Sequence, residues 1–116
     1  MSIEGQAKKL SAYIGENDMY DEKPLYTALV EAARTAGCGG ATVLRGISGF
    51  GATSRIHARR NLRMSSDLPV VVQVIDVEHK VTALGEVFKA MVGDGLITVE
   101  DVTVIQYRGG VTGGPS

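Results

Sequence analysis

A chain of 116 residues with 44% hydrophobic and 22% charged residues has room for one soluble domain and hardly for two. No apolar run approaches the ~20 residues a membrane helix needs. The opening Met-Ser-Ile-Glu-Gly lacks the basic-then-apolar layout of a secretion signal. A single cysteine, Cys38, excludes an intramolecular disulfide, so the cytoplasm is the expected location.

Net charge is −1, but it is unevenly spread. Between Glu31 and Asp67 there is no acid, while Arg34, Arg45, Arg55, Arg59, Arg60 and Arg63 carry +6 against −7 for the rest of the chain. One cationic stretch on an acidic body suggests an anionic partner met at one place.

In chain order, residues 6–14 alternate, with Leu10, Ala12 and Ile14 on one side, which predicts a half-buried strand. Gly15 to Asp18 then reads as a turn. From Pro24 the apolar set Leu25, Ala28, Leu29, Ala32, Ala33 and Ala36 forms one helical face, which Gly37 ends. The acids Asp18, Asp21 and Glu22 just before it are expected to favour the helix N-terminus. Residues 41–48 predict a second strand, and Pro69–Val77, rich in β-branched residues, a central third. Val81, Leu84, Phe88 and Met91 predict a helix over 78–92 despite Gly85. Gly93-Asp94-Gly95 ends it, and Leu96–Tyr107 supplies a last strand, bent at Glu100-Asp101.

The order β-α-β-β-α-β is that of an α+β, ferredoxin-like domain: a four-stranded antiparallel sheet with both helices on one face. The domain spans 1–108, and the glycine-rich tail 109–116 is expected to be disordered. The uncovered sheet face predicts self-association. The second and third strands should form a hairpin, yet the long loop 50–68 lies between them and holds most of the arginine cluster.

Gly49, Gly51 and the turn Gly93, Asp94, Gly95 allow close approach of backbone N–H groups to a ligand. Arg55, His57, Arg59, Arg60 and Arg63 offer donors for phosphate or carboxylate, and Arg108 stands at the end of the last strand. Asp-Gly is also an ordinary turn pair, and loop charges can simply be solvated. His57, His79 and Cys38 lack metal-ligand spacing. No Ser/His/Asp or Cys/His set, Walker loop or dinucleotide fingerprint is present, so no enzyme is expected. The third strand carries no aromatic on which an RNA base could stack, which argues against an RNA-recognition domain of the same element order, so nucleic acid is not the expected partner.

Several fragments together resemble the PII signalling proteins. They are Gly49-Phe50-Gly51 opening a long loop, Leu68-Pro69 before a valine-rich strand, and Gly93-Asp94-Gly95 followed by Ile97-Thr98-Val99 and Val104-Ile105. With Gly40–Gly46, Ser54-Arg55-Ile56-His57 and Pro24-Leu25-Tyr26, the chain is similar to an uncharacterised branch of the PII-like superfamily. That resemblance implies a homotrimeric regulator with ATP, ADP or AMP in clefts between subunits. Gly49 and Gly51 would line the cleft, Gly93, Asp94 and Gly95 would turn over the phosphates, and Arg108 would reach in from the adjacent subunit. Loop 50–68 would dock on a partner, expected to be a membrane transport protein. Leu96 and Ala52-Thr53 stand where PII proteins carry basic or Arg-Gln residues, so the loop arginines are expected to supply the missing charge. The alternatives are a nucleic-acid- or protein-binding module using the arginine loop, and a structural trimer like the CutA metal-tolerance proteins. Steep salt dependence would mark a nucleic-acid module, and divalent-metal dependence the CutA-like trimer.

Overall fold

The computed structural model describes residues 3–50 and 67–109. Among the described residues six strands and two helices follow one another in the order β1 (Gly5–Gly15), β2 (Met19–Tyr20), β3 (Lys23–Pro24), α1 (Leu25–Thr35), β4 (Thr42–Arg45), β5 (Pro69–Asp76), α2 (Glu78–Met91) and β6 (Leu96–Val104). The main sheet has the order β4-β5-β1-β6, and every neighbouring pair in it is antiparallel. Sequence-distant β5 and β6 flank β1, as the ferredoxin-like arrangement requires. The long connection does join a hairpin, β4 with β5, in the register Thr42↔Gln73 to Arg45↔Val70.

Alternation along β1 sends Leu10, Ala12 and Ile14 to the helix side, where they meet Val70, Val72 and Val74 of β5. Helix α1 adds Leu25, Leu29 and Ala33, and α2 adds Val81, Leu84 and Phe88. Each fully buried large side chain contributes about 1.5–3 kcal/mol. Both helices therefore cover one face. The other face bears Tyr13, Leu44, Ile75 and Leu96, all exposed.

The first helix ends as its sequence dictates. Gly37 adopts φ +80, its N–H donates to Arg34 O at 3.0 Å, and Cys38 N–H donates to Ala33 O at 3.1 Å. This six-to-one, five-to-two pairing closes the last turn and needs a residue free to take a positive φ.

One element is added and two expectations are corrected. Residues 19–24, to which the sequence assigned no element, form the small hairpin β2–β3, paired Met19↔Pro24 and Tyr20↔Lys23. Asp21 and Glu22 make its turn with φ of 48 and 66, and no acid stands in the first turn of α1. A two-residue hairpin turn of this hand is usually built from Asn or Gly, so this pair offers no sequence signal. Finally, β6 ends at Val104, and its register with β1 runs unbroken through Glu100 and Asp101, which pair with Lys9 and Lys8.

Gly51, Arg55, His57, Arg59, Arg60 and Arg63 lie outside the described residues, as does the tail beyond Gly109.

Candidate functional site

One end of the sheet gathers the roots of the long loop and the α2–β6 turn. There Gly15 of β1 pairs with Pro69, Arg45 of β4 with Val70, and Tyr13 with Leu96. Beyond the ladder, Gly46 N–H donates to Pro69 O at 2.7 Å and Glu16 N–H to Leu68 O at 2.8 Å. The two stems of the loop are thus tied to each other and to β1 before it departs.

Gly49 lies against the Pro69 ring, and Gly93, Asp94 and Gly95 are exposed beside the end of β1. At Gly95 a side chain is excluded by contact. An added Cβ would fall 2.8 Å from Tyr13 O and 2.9 Å from Val92 Cγ1, so only glycine lets this turn lie on β1. Gly49 and the turn share one end of the sheet, but β1 runs between them. With strands ~4.8 Å apart, they form a rim around the end of β1 and not a single closed pocket.

That rim is acidic. Asp18 Oδ2 accepts from Gly15 N–H at 3.0 Å, and Asp67 Oδ1 accepts from Asn17 N–H at 3.0 Å. Burial pushes the Asp18 carboxyl above the ordinary range, the Gly15 bond opposes that, and the charges of Asp67 and Asp94 raise it further. Arg45 reaches the same end but donates to Glu16 Oε2 at 2.8 Å. An anion here would meet the charges of Asp67 and Asp94, which already raise the Asp18 carboxyl.

Arg108 stands at the opposite end. β6 begins opposite Tyr13 and finishes opposite Gly5, a run of about 27 Å at ~3.4 Å per residue, and Arg108 lies beyond it. There its Nη2 donates to Gln106 Oε1 at 3.0 Å, and it is exposed. Within one chain, Arg108 and Gly95 cannot touch the same small ligand.

A knot of polar contacts at that far end has no counterpart in the sequence reading. Asp76 is fully buried, and its two oxygens accept from Gly39 N–H at 2.8 Å and Val77 N–H at 2.7 Å. Tyr107 OH donates to Gly39 O at 2.8 Å, and Lys80 Nζ to Gly37 O at 2.9 Å. The signal available was a lone acid closing a valine-rich strand. The knot fixes the α1–β4 turn and the chain just before Arg108. Beside it, burial and then the charge of Asp76 raise the Cys38 thiol, with Lys80 opposing. That is the wrong direction for an activated nucleophile.

No helix among the described residues is long and apolar enough to cross a membrane, and none of their acidic, histidine or cysteine side chains cluster in threes to hold a metal.

The profile of DUF190, described as Uncharacterized ACR, matches residues 7–104. A UPF0166 protein of Aquifex aeolicus is 42% identical over 98 residues, covering 84% of this chain and 92% of that protein. Another, from Methanocaldococcus jannaschii, is 30% identical over 105 residues, covering 90% and 94%. Among solved structures, CPII of Thiomonas intermedia K12 bound to ADP, AMP and acetate superposes with TM-score 0.57 and 21% identity, over 86% of this chain and 89% of that one. The same protein bound to ADP and bicarbonate gives 0.53 at 21% identity, over 90% and 91%. A third CPII structure, of a nitrogen regulatory PII-like protein bound to ADP, AMP and bicarbonate, gives 0.56 at 19% identity, over 90% and 91%. At these identities the likeness establishes the fold.

Proposed function

The chain belongs to the DUF190 family, a PII-like branch by its fold, and from that premise we propose that it is a regulator whose homotrimer binds an adenine nucleotide between subunits. Loop 50–68 then carries the response to a partner, for which the sequence resemblance suggests a membrane transport protein. No catalytic step is assigned to the chain.

One observation carries the reading: a chain with the fold of an ADP-bound protein holds its glycine turn at one end of β6 and Arg108 at the other. If the two serve one ligand, a second copy must supply one of them. The acidic rim supports the same conclusion, because Asp18, Asp67 and Asp94 leave the phosphate charge of a nucleotide unbalanced within a single chain. Arg108 from a neighbouring copy and the loop arginines are the groups able to balance it, with two charge-assisted contacts of ~1.5–3 kcal/mol each changing affinity tenfold or considerably more.

Calorimetric titration of the size-checked protein with ATP, ADP and AMP, with and without Mg²⁺ and bicarbonate, tests this. Micromolar binding of at least one nucleotide near one site per subunit is expected, weakened about tenfold or more by Arg108→Ala. A folded oligomer that binds none of them would remove the nucleotide reading.

A further inference from the structure

Beyond Val104, where β6 leaves the ladder, Ile105 is 90% exposed, yet Tyr107 is drawn back against the body of the domain by several separate contacts. Its carbonyl accepts from Ile3 N–H, ahead of β1, at 3.3 Å. Its hydroxyl donates to Gly39 O, between α1 and β4, at 2.8 Å. Its ring lies against two glycines. A Cβ at Gly39 would fall 3.0 Å from the Tyr107 hydroxyl oxygen and 3.1 Å from Cε2, and a Cβ at Gly109 would fall 2.7 Å from the same oxygen. Neither glycine takes a positive φ, so close approach of the ring is what these two positions serve.

The Gly39 side of this clasp is itself fixed from within. Buried Asp76 accepts Gly39 N–H and Val77 N–H, and Lys80 Nζ donates to Gly37 O. A continuous line of contacts therefore runs from the end of β5 through Gly39 and Tyr107 to Gly109. Arg108 stands between the two residues that the clasp joins. Its side chain is exposed, with Nη2 donating to Gln106 Oε1 at 3.0 Å. Lys8, Lys9, Lys23 and Arg45 each pair with a carboxylate, whereas among the described residues no carboxylate pairs with Arg108. The backbone is held on both sides, and the guanidinium is left to an anion from outside the chain.

Resting on the reading of a nucleotide bound between subunits, we infer that Tyr107 is the positioning residue for Arg108. The clasp of its ring between Gly39 and Gly109 sets the guanidinium where it meets a phosphate across the subunit boundary. An arginine on a free arm must give up backbone freedom as the ligand binds. On a clasped arm that freedom is already lost on folding, so more of the charge-assisted contact appears as affinity. Tyr107 acts through Arg108 and makes no ligand contact of its own.

A double-mutant cycle tests this, with ADP titrated calorimetrically into wild type, Tyr107→Phe, Arg108→Ala and the pair, each size-checked and folded by circular dichroism. Tyr107→Phe keeps the ring, and water can replace the hydroxyl on half-buried Gly39, so the fold should persist. It should weaken ADP binding about fivefold or more when Arg108 is present, and by no more than about twofold once Arg108 is alanine. Gly109→Ala, which displaces the hydroxyl from Gly39 without altering Tyr107, should repeat both effects. Hydrogen exchange over residues 105–109 should rise in both variants before any ligand is added.

Equal losses with and without Arg108 would show a general effect on the fold or a direct ligand contact, and would overturn the inference. An Arg108-dependent ADP affinity that ignores Tyr107→Phe and Gly109→Ala would overturn it too, while the nucleotide reading stood. So would an ADP affinity indifferent to Arg108→Ala. A folded oligomer that binds no nucleotide would remove both readings together.

Discussion

Asp18 holds together the acidic end of the sheet at some cost to itself. Its carboxylate anchors the Gly15 amide, and the carbonyl of the same residue accepts the first amide of α1, Leu25 N–H, at 2.8 Å. Burial raises its pKa above the ordinary 3.8, more than the Gly15 bond lowers it, and Asp67 and Asp94 add to the rise. The native state therefore holds this proton more tightly than the unfolded chain does. The contribution of Asp18 to stability is greatest in acid and falls as pH rises from the ordinary carboxylate range through the raised native value. Asp18→Asn keeps an oxygen for the Gly15 amide but does not titrate. Relative to wild type, it should gain stability between acid and neutral pH in urea denaturation. An equal difference at both would show that the Asp18 charge is not penalised.

At the scale of elements, the helices are where composition and packing agree least. Gly85 lies in the middle of α2, where its backbone freedom is a disadvantage, yet the helix forms because Val81, Leu84 and Phe88 are buried around it. Tertiary burial outweighs a local propensity penalty of that size. A Cβ at Gly85 would meet only Leu10 Cδ1, at 3.8 Å, an ordinary contact. Gly85→Ala should therefore stabilise the fold by about 0.5–1 kcal/mol, read as a higher melting temperature. A lower melting temperature would mean that α2 and β1 are closer than this spacing allows. The β2–β3 hairpin shows the reverse case, an element whose turn carries no local signal. Asp21 and Glu22 take positive φ because the short strands and the Asp18–Leu25 bond hold the ends together.

For the whole molecule, the decisive feature is that the two helices cover one face of the sheet and leave the other open. Leu96 is 55% exposed on that open face, so its replacement should spare the folded chain. In the proposed homotrimer, Leu96→Lys would place three like charges in the contact, where each would be desolvated. Sedimentation should then find monomers, and ADP affinity should fall about tenfold or more, because the proposed cleft between subunits would be lost. An oligomer unaffected by Leu96→Lys would place the contact elsewhere. An ADP-binding monomer would place the nucleotide within one chain.

The sequence by itself determined the order and kind of the main elements, because period-two alternation in β1 and three-four spacing in α1 and α2 are properties of neighbouring residues. It also supplied Gly37 as a helix stop, since freedom to take a positive φ is written into residue type, whereas the need for glycine at 95 comes from its contact with β1. Tertiary structure alone decided which of those residues meet. Strand order put Gly49 and Gly93–Gly95 at one end and Arg108 at the other, and gathered Asp18, Asp67 and Asp94 from three separate segments. Register between strands far apart in the chain is fixed by the packing of both faces together, and no local pattern encodes it.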